Sequence, residues 1–365
     1  MKQTVLELAR SMEREKAHVD RLMAEVARSL LAGGGPLSDQ ERALMRGIVT
    51  DLVETVAADI LGRIGRDEAA TGAEPALRAA VVRLSGPTAT GTATGTETGT
   101  GTGTGGLGRI AEALRGAEVL AAPGLIRLVY ARVRAHLLGE ALRPPLTGGR
   151  GQLAAEMLEP AALQAFQIDD ARRIDPYGDP RLPIEDLPDD LQAALHWDIA
   201  AALRVALVAG GAGEAGEIDD AIEIAVSAAL RQPPPLPEAD RLRRQAAIPP
   251  DSLVEALQRG EIFLFLMLLG QISGLPLGRV QQTAFGRGDL EFATVCRALA
   301  FPRHVFAELH LLVAQQSRAA VRDPEALVQA MRAFDAIDPG EALELLRLWR
   351  RHPRYVGAIR RSLGA

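Results

Sequence analysis

One histidine in this chain has the position that phosphotransfer chemistry needs. His18 lies in the middle of a helix-forming segment, Glu15-Lys-Ala-His-Val-Asp-Arg21. Phosphorelay proteins hold a solvent-facing histidine on one arm of a helical hairpin, where the neutral imidazole attacks an acyl phosphate. The neighbouring residues spell neither common histidine-box pattern, and no ATP-binding module follows. An exposed histidine on a helix is therefore the favoured interpretation of His18, and phosphotransfer is the alternative.

A run of arginines near the C-terminus is the second group with chemical potential. The segment from Arg347 to Arg361 contains six arginines, Trp349 and Tyr355 but no acidic residue. Such a segment suits an anionic partner such as nucleic acid, although cations at the end of a terminal helix also complement its negative dipole. The net charge of −6 weighs against a nucleic-acid surface, so that function is the lesser alternative. The candidate residues are Arg350, Arg351, Arg354, Arg360 and Arg361.

The remaining reactive side chains predict no catalytic or metal site. His304 and Glu308 share a helix face, but His310 lies about 240° round the helix from His304, whereas zinc favours histidines at i and i+4 with a third ligand. Cys296, the only cysteine, falls in an apolar helical run and is predicted to be a buried core residue.

The stretch from Gly91 to Gly106, GTATGTETGTGTGTGG, contains a match to the G-x-G-x-x-G template of dinucleotide-binding loops. That reading requires a buried strand before the glycines and an acidic residue about 20 positions later. More threonine and glycine precedes them instead, and glycine at every second position makes a match nearly inevitable. Residues 87–106 are therefore predicted to be a flexible linker, and no cofactor is expected.

The sequence offers only weak candidates for a signal peptide or a membrane-spanning segment. Glu7, Glu13 and Glu15 occupy the positions where a signal peptide needs an apolar core. The longest apolar run, Ile262–Leu269, is too short to span a bilayer. We therefore expect a soluble, cytoplasmic protein without a membrane partner.

The elements that would position these residues are helices throughout. Residues 1–86 read as a helical hairpin and a following helix, and Ser38-Asp39-Gln40-Glu41 is predicted to be a capping box at the start of the second arm. Each arm carries a broad apolar stripe, and a hairpin alone cannot bury both stripes fully. The stripes therefore predict either packing on the rest of the chain or a homodimer through residues 4–64.

After the linker, the pattern predicts a middle helical region at 107–232, a Pro-rich spacer at 233–247 and a C-terminal helical-repeat region at 248–365. A faint repeat of 26 residues relates Gly274–Val280 to Ala300–Phe306. Asp338-Pro339 is a predicted helix start, with an Asp cap and Pro in the first position. The predicted fold is all-α, with a HEAT-like or solenoid-like body.

Two sequence stretches resemble an uncharacterised, all-helical family of alphaproteobacteria, the domain of unknown function DUF2336. They are IPPDSLVEALQRGE, from Ile248, and LPLGRVQQTAFGRGDLEFATVCRALAFPRHVF, from Leu275. The resemblance is clearest over residues 248–315, and His196-Trp-Asp198 begins a stretch similar to an earlier helix of the family. It implies a helical-repeat fold and a bacterial cytoplasmic setting, but no catalytic residues. The Thr-Gly tract departs from the family pattern and looks like an insertion.

Function is predicted from the fold class, because no catalytic set is apparent. Helical stacks expose long grooves, so we expect a non-catalytic protein–protein interaction or regulatory scaffold with an unidentified protein partner. Phosphotransfer or sensory signalling through His18 is the alternative.

Overall fold

The computed structural model describes residues 5–32, 37–71, 77, 79–82, 120, 122–142, 151–175, 178–231, 248–286, 289–314 and 324–350. The predicted linker at 87–106 and the predicted spacer at 233–247 lie outside these residues.

Helices make up most of the described chain, and the prediction of an all-α fold is confirmed. The described residues also contain one isolated antiparallel bridge, between Ile174 and Pro180, and a 3-10 helix at Ile184–Asp186. The α-helices are α1 (Val5–Ala32), α2 (Asp39–Thr71), α3 (Pro123–Leu142), α4 (Gln152–Met157), α5 (Pro160–Ala171), α6 (Asp189–Ala209), α7 (Ala215–Arg231), α8 (Pro250–Gln258), α9 (Ile262–Ser273), α10 (Leu277–Phe285), α11 (Asp289–Ala298), α12 (Arg303–Ala314), α13 (Pro324–Ala336) and α14 (Pro339–Trp349).

Two compact units make up the fold, and each is assembled from separate segments of the chain. The first unit comprises Met1–Val26, Arg127–Pro180 and Leu236–Ala365, and the second comprises Ala27–Ile126 and Arg181–Pro235. The domains predicted from the sequence are continuous stretches of the chain, and their boundaries remain predictions. The helical-repeat arrangement also remains a prediction.

The second unit is built around α2, α6 and α7, which pack on one another. Helix α2 is apolar on a broad face, and α6 and α7 cover that face. The end of α1 is tied to α2, since the Arg46 guanidinium donates to the Leu30 carbonyl oxygen at 2.8 Å. The second unit therefore buries the α2 stripe with residues that follow it by more than a hundred positions.

The apolar side chains of the two N-terminal stripes are buried where the structure describes them, each at most 6% exposed. They are Val19, Met23, Val26, Leu30, Met45, Ile48, Leu52, Val53, Val56, Ile60 and Ile64. Helices α6 and α7 pack on α2, as the alternative of packing on the rest of the chain predicts. The homodimer through residues 4–64 remains a prediction.

The core of the first unit is centred on α9, whose sequence IFLFLMLL is buried from Ile262 to Leu269. A helix that is apolar on every side needs neighbours on every side. Helices α8 and α10 pack against α9, and further helices extend the same core. Within it, Phe306 of α12 stacks on Phe334 of α13 with ring centroids 4.4 Å apart.

Both helix starts predicted from capping patterns are confirmed. The Ser38 backbone N–H donates to a Glu41 carboxylate oxygen at 2.8 Å, and the Glu41 N–H donates to the Ser38 hydroxyl at 3.2 Å. Asp338 accepts from the N–H groups of Gly340 and Glu341 at the start of α14. These bonds satisfy amides that a helix start otherwise leaves unpaired.

Candidate functional site

His18 is exposed on α1, as its favoured interpretation requires. Three residues earlier, a Glu15 carboxylate oxygen accepts from the Leu290 backbone N–H at 3.3 Å, at the start of α11. Exposure is also a requirement of phosphotransfer, so that alternative remains a prediction.

Arg350 is the one member of the predicted arginine cluster that lies within the described residues. It ends α14, and its Nε donates to the Ser273 carbonyl oxygen at 2.7 Å, at the end of α9. Its guanidinium is therefore engaged in joining two helix ends. The other four candidate arginines, at 351, 354, 360 and 361, lie outside the described residues.

The surroundings of Cys296 and of the His304–His310 segment are those of residues that stabilise the fold. Cys296 is fully buried in α11, as predicted, and burial raises the pKa of its thiol. Glu308 accepts a hydrogen bond of 2.7 Å from the Gln258 side-chain amide. Within the described part of the chain, no group of three or more His, Cys, Asp or Glu side chains is placed to hold a metal ion.

Burial of Cys296 predicts an inert thiol. Because the reactive species is the thiolate, we expect the folded chain to react with a disulfide reagent such as DTNB at least about 100-fold more slowly than the urea-unfolded chain. Absorbance at 412 nm measures both rates. An Ile224→Cys variant, whose new thiol would lie at a position that is 55% exposed in the wild type, provides the control for normal reactivity. Equal rates in the folded and unfolded wild-type chain would contradict the burial.

Helix α6 carries the candidate functional surface, because it is apolar on two opposite faces. Its inner face, built mainly by Leu195, Ile199, Leu203 and Leu207, is buried in the second unit. The opposite face also consists of apolar residues, which are exposed to solvent. A surface helix of a globular protein ordinarily carries polar residues there.

The exposed apolar stripe of α6 consists of five residues at spacings of three, four, four and three. Trp197, Val205 and Val208 are 44%, 65% and 40% exposed, and the alanines between and before them are exposed too. These spacings place all five side chains in one line along the helix. We call this line the α6 stripe; its members are Ala194, Trp197, Ala201, Val205 and Val208.

Charged residues flank the α6 stripe on both sides. Arg204 is held by Asp219 of α7, with one of its two hydrogen bonds at 3.1 Å. The hydrogen bond from Arg204 lowers the pKa of the Asp219 carboxyl, so the pair is charged at neutral pH. Asp198 lies on the opposite flank, about 120° round the helix from Arg204, and Asp190 lies near the helix start. The surface is thus an apolar line with a charged rim, which is the composition of a protein interface.

Helix α6 is also the one helix in the described residues that is long and apolar enough to cross a membrane by itself. Two apolar faces on one helix account for this hydropathy. Its inner face packs on α2 and α7, so the helix belongs to the core of the second unit.

Sequence reasoning predicted a helical region at 107–232 but missed the outer face of α6. The signal was present in the segment from Trp197 to Ala209, WDIAAALRVALVA, which has only two charged residues. In the sequence, apolar residues of the α6 stripe alternate with those of the inner face. The pattern therefore indicates a hydrophobic helix but does not indicate which face is buried. Only the positions of α2 and α7 show which apolar side chains are covered.

Comparison with known proteins places this helix inside a family segment. Residues 168–347 match the family model DUF2336, described as an uncharacterised protein conserved in bacteria. The resemblance predicted from the sequence is confirmed, and it covers more of the chain than residues 248–315. No curated protein and no solved structure gives a significant match.

Proposed function

We propose that this chain, a DUF2336 family protein over residues 168–347, is a non-catalytic protein-interaction module that binds its partner through the α6 stripe. The observation that carries the proposal is the exposure of three large apolar side chains in one line, with Trp197 among them. We place this module in the bacterial cytoplasm and give it a regulatory or scaffolding role.

The free energy of apolar burial supports this proposal. Each large apolar side chain removed from water contributes about 1.5–3 kcal/mol. Singly exposed apolar residues are ordinary, whereas a contiguous exposed patch marks an interaction site. Trp197 adds a residue type that dominates measured hot spots, because its large ring fills a pocket while its N–H finds a polar partner.

The packing of α6 favours a rigid recognition element. Its inner face is held in the core of the second unit, and the Arg204–Asp219 pair ties its solvent side to α7. A docking surface that is already ordered loses little conformational entropy when a partner binds. The α6 stripe is thus presented on a fixed helix, which suits the helix-in-groove mode of recognition.

Photo-cross-linking tests the proposal directly. With the photoreactive residue p-benzoylphenylalanine in place of Val205, irradiation in an extract of the native host is expected to give one covalent adduct, whose mass spectrum identifies the bound protein. The partner, once purified, should bind a Trp197→Ala variant at least about 30-fold more weakly, the size of a hot-spot loss.

The matched control is the same photoreactive residue in place of Ile224. Ile224 is 55% exposed on α7, about 140° round that helix from Asp219, so it faces away from α6. Adducts of the same identity and yield from both positions, or none from position 205, would contradict a docking function for the α6 stripe.

A further inference from the structure

We draw no further inference here: the strongest candidate, the exposed apolar α6 stripe on the second unit, belongs to the site already described, and nothing in the structure shows what covers it.

Discussion

Replacing Glu291 by Gln is expected to destabilise the first unit by about 3–5 kcal/mol, the cost of leaving a buried charge without its partner. The Glu291 carboxylate accepts from Arg127 at 3.1 Å and from Arg279 at 3.1 Å. The side chains of Glu291 and Arg127 are only 9% and 6% exposed. Glutamine keeps the shape of the side chain but removes its charge, so the Arg127 guanidinium is left buried and uncompensated.

The effect extends beyond one ion pair because Glu291 joins three helices. Arg127 belongs to α3, Arg279 to α10 and Glu291 to α11. The Arg279 guanidinium also lies over the Trp349 ring of α14, 5.2 Å from its centroid. Loss of the central carboxylate therefore loosens a contact among four helices of the first unit.

Urea unfolding followed by circular dichroism measures the change, and Glu344→Gln is the matched control. Glu344 pairs with Arg347 on α14, but both side chains are 59% exposed. A solvated ion pair contributes about 0–1 kcal/mol, so this variant should unfold almost like the wild type. Equal unfolding free energies for Glu291→Gln and the wild type would show that the buried pair does not stabilise the fold.

Local features of this fold could be read from the sequence because they depend on neighbouring residues. The capping box at Ser38 and the Asp338 cap were predicted from residues at most three positions apart, and both are confirmed. The region after residue 248 was predicted to be helical, and its described residues form the helices α8 to α14. A helix start or an apolar period needs no knowledge of distant parts of the chain.

The 26-residue repeat proves to be a shared turn. Gly274 and Ala300, which are equivalent in the repeat, both have left-handed backbones, with φ of 67° and 55°. Each ends a helical segment, and a proline two residues later precedes the next helix, α10 or α12. The repeated sequence therefore reflects a repeated way of ending one helix and starting another.

The long-range organisation could not be read from the sequence. Apolar periodicity on α2 predicts that its stripe is covered, but it cannot say that α6 and α7 provide the cover. We therefore predicted either packing on the rest of the chain or a homodimer for the N-terminal hairpin, and the exposed apolar line on α6 was not expected. The two units combine segments far apart in the chain, and such pairing is decided by shape and total burial rather than by local pattern.

Affinity for the protein that is captured at position 205 tests the central claim, that the α6 stripe is a docking surface, most directly. Isothermal titration calorimetry compares the wild-type chain and two charge variants with that purified partner. Val205→Glu would bury an unpaired carboxylate in the interface, so the dissociation constant should rise at least about 100-fold.

Ile224→Glu makes the equivalent change at an exposed apolar residue of α7 that lies off the stripe. It should bind the partner with the affinity of the wild type. The account predicts this separation of the two variants. Equal affinities of Val205→Glu, Ile224→Glu and the wild-type chain for the partner would contradict it.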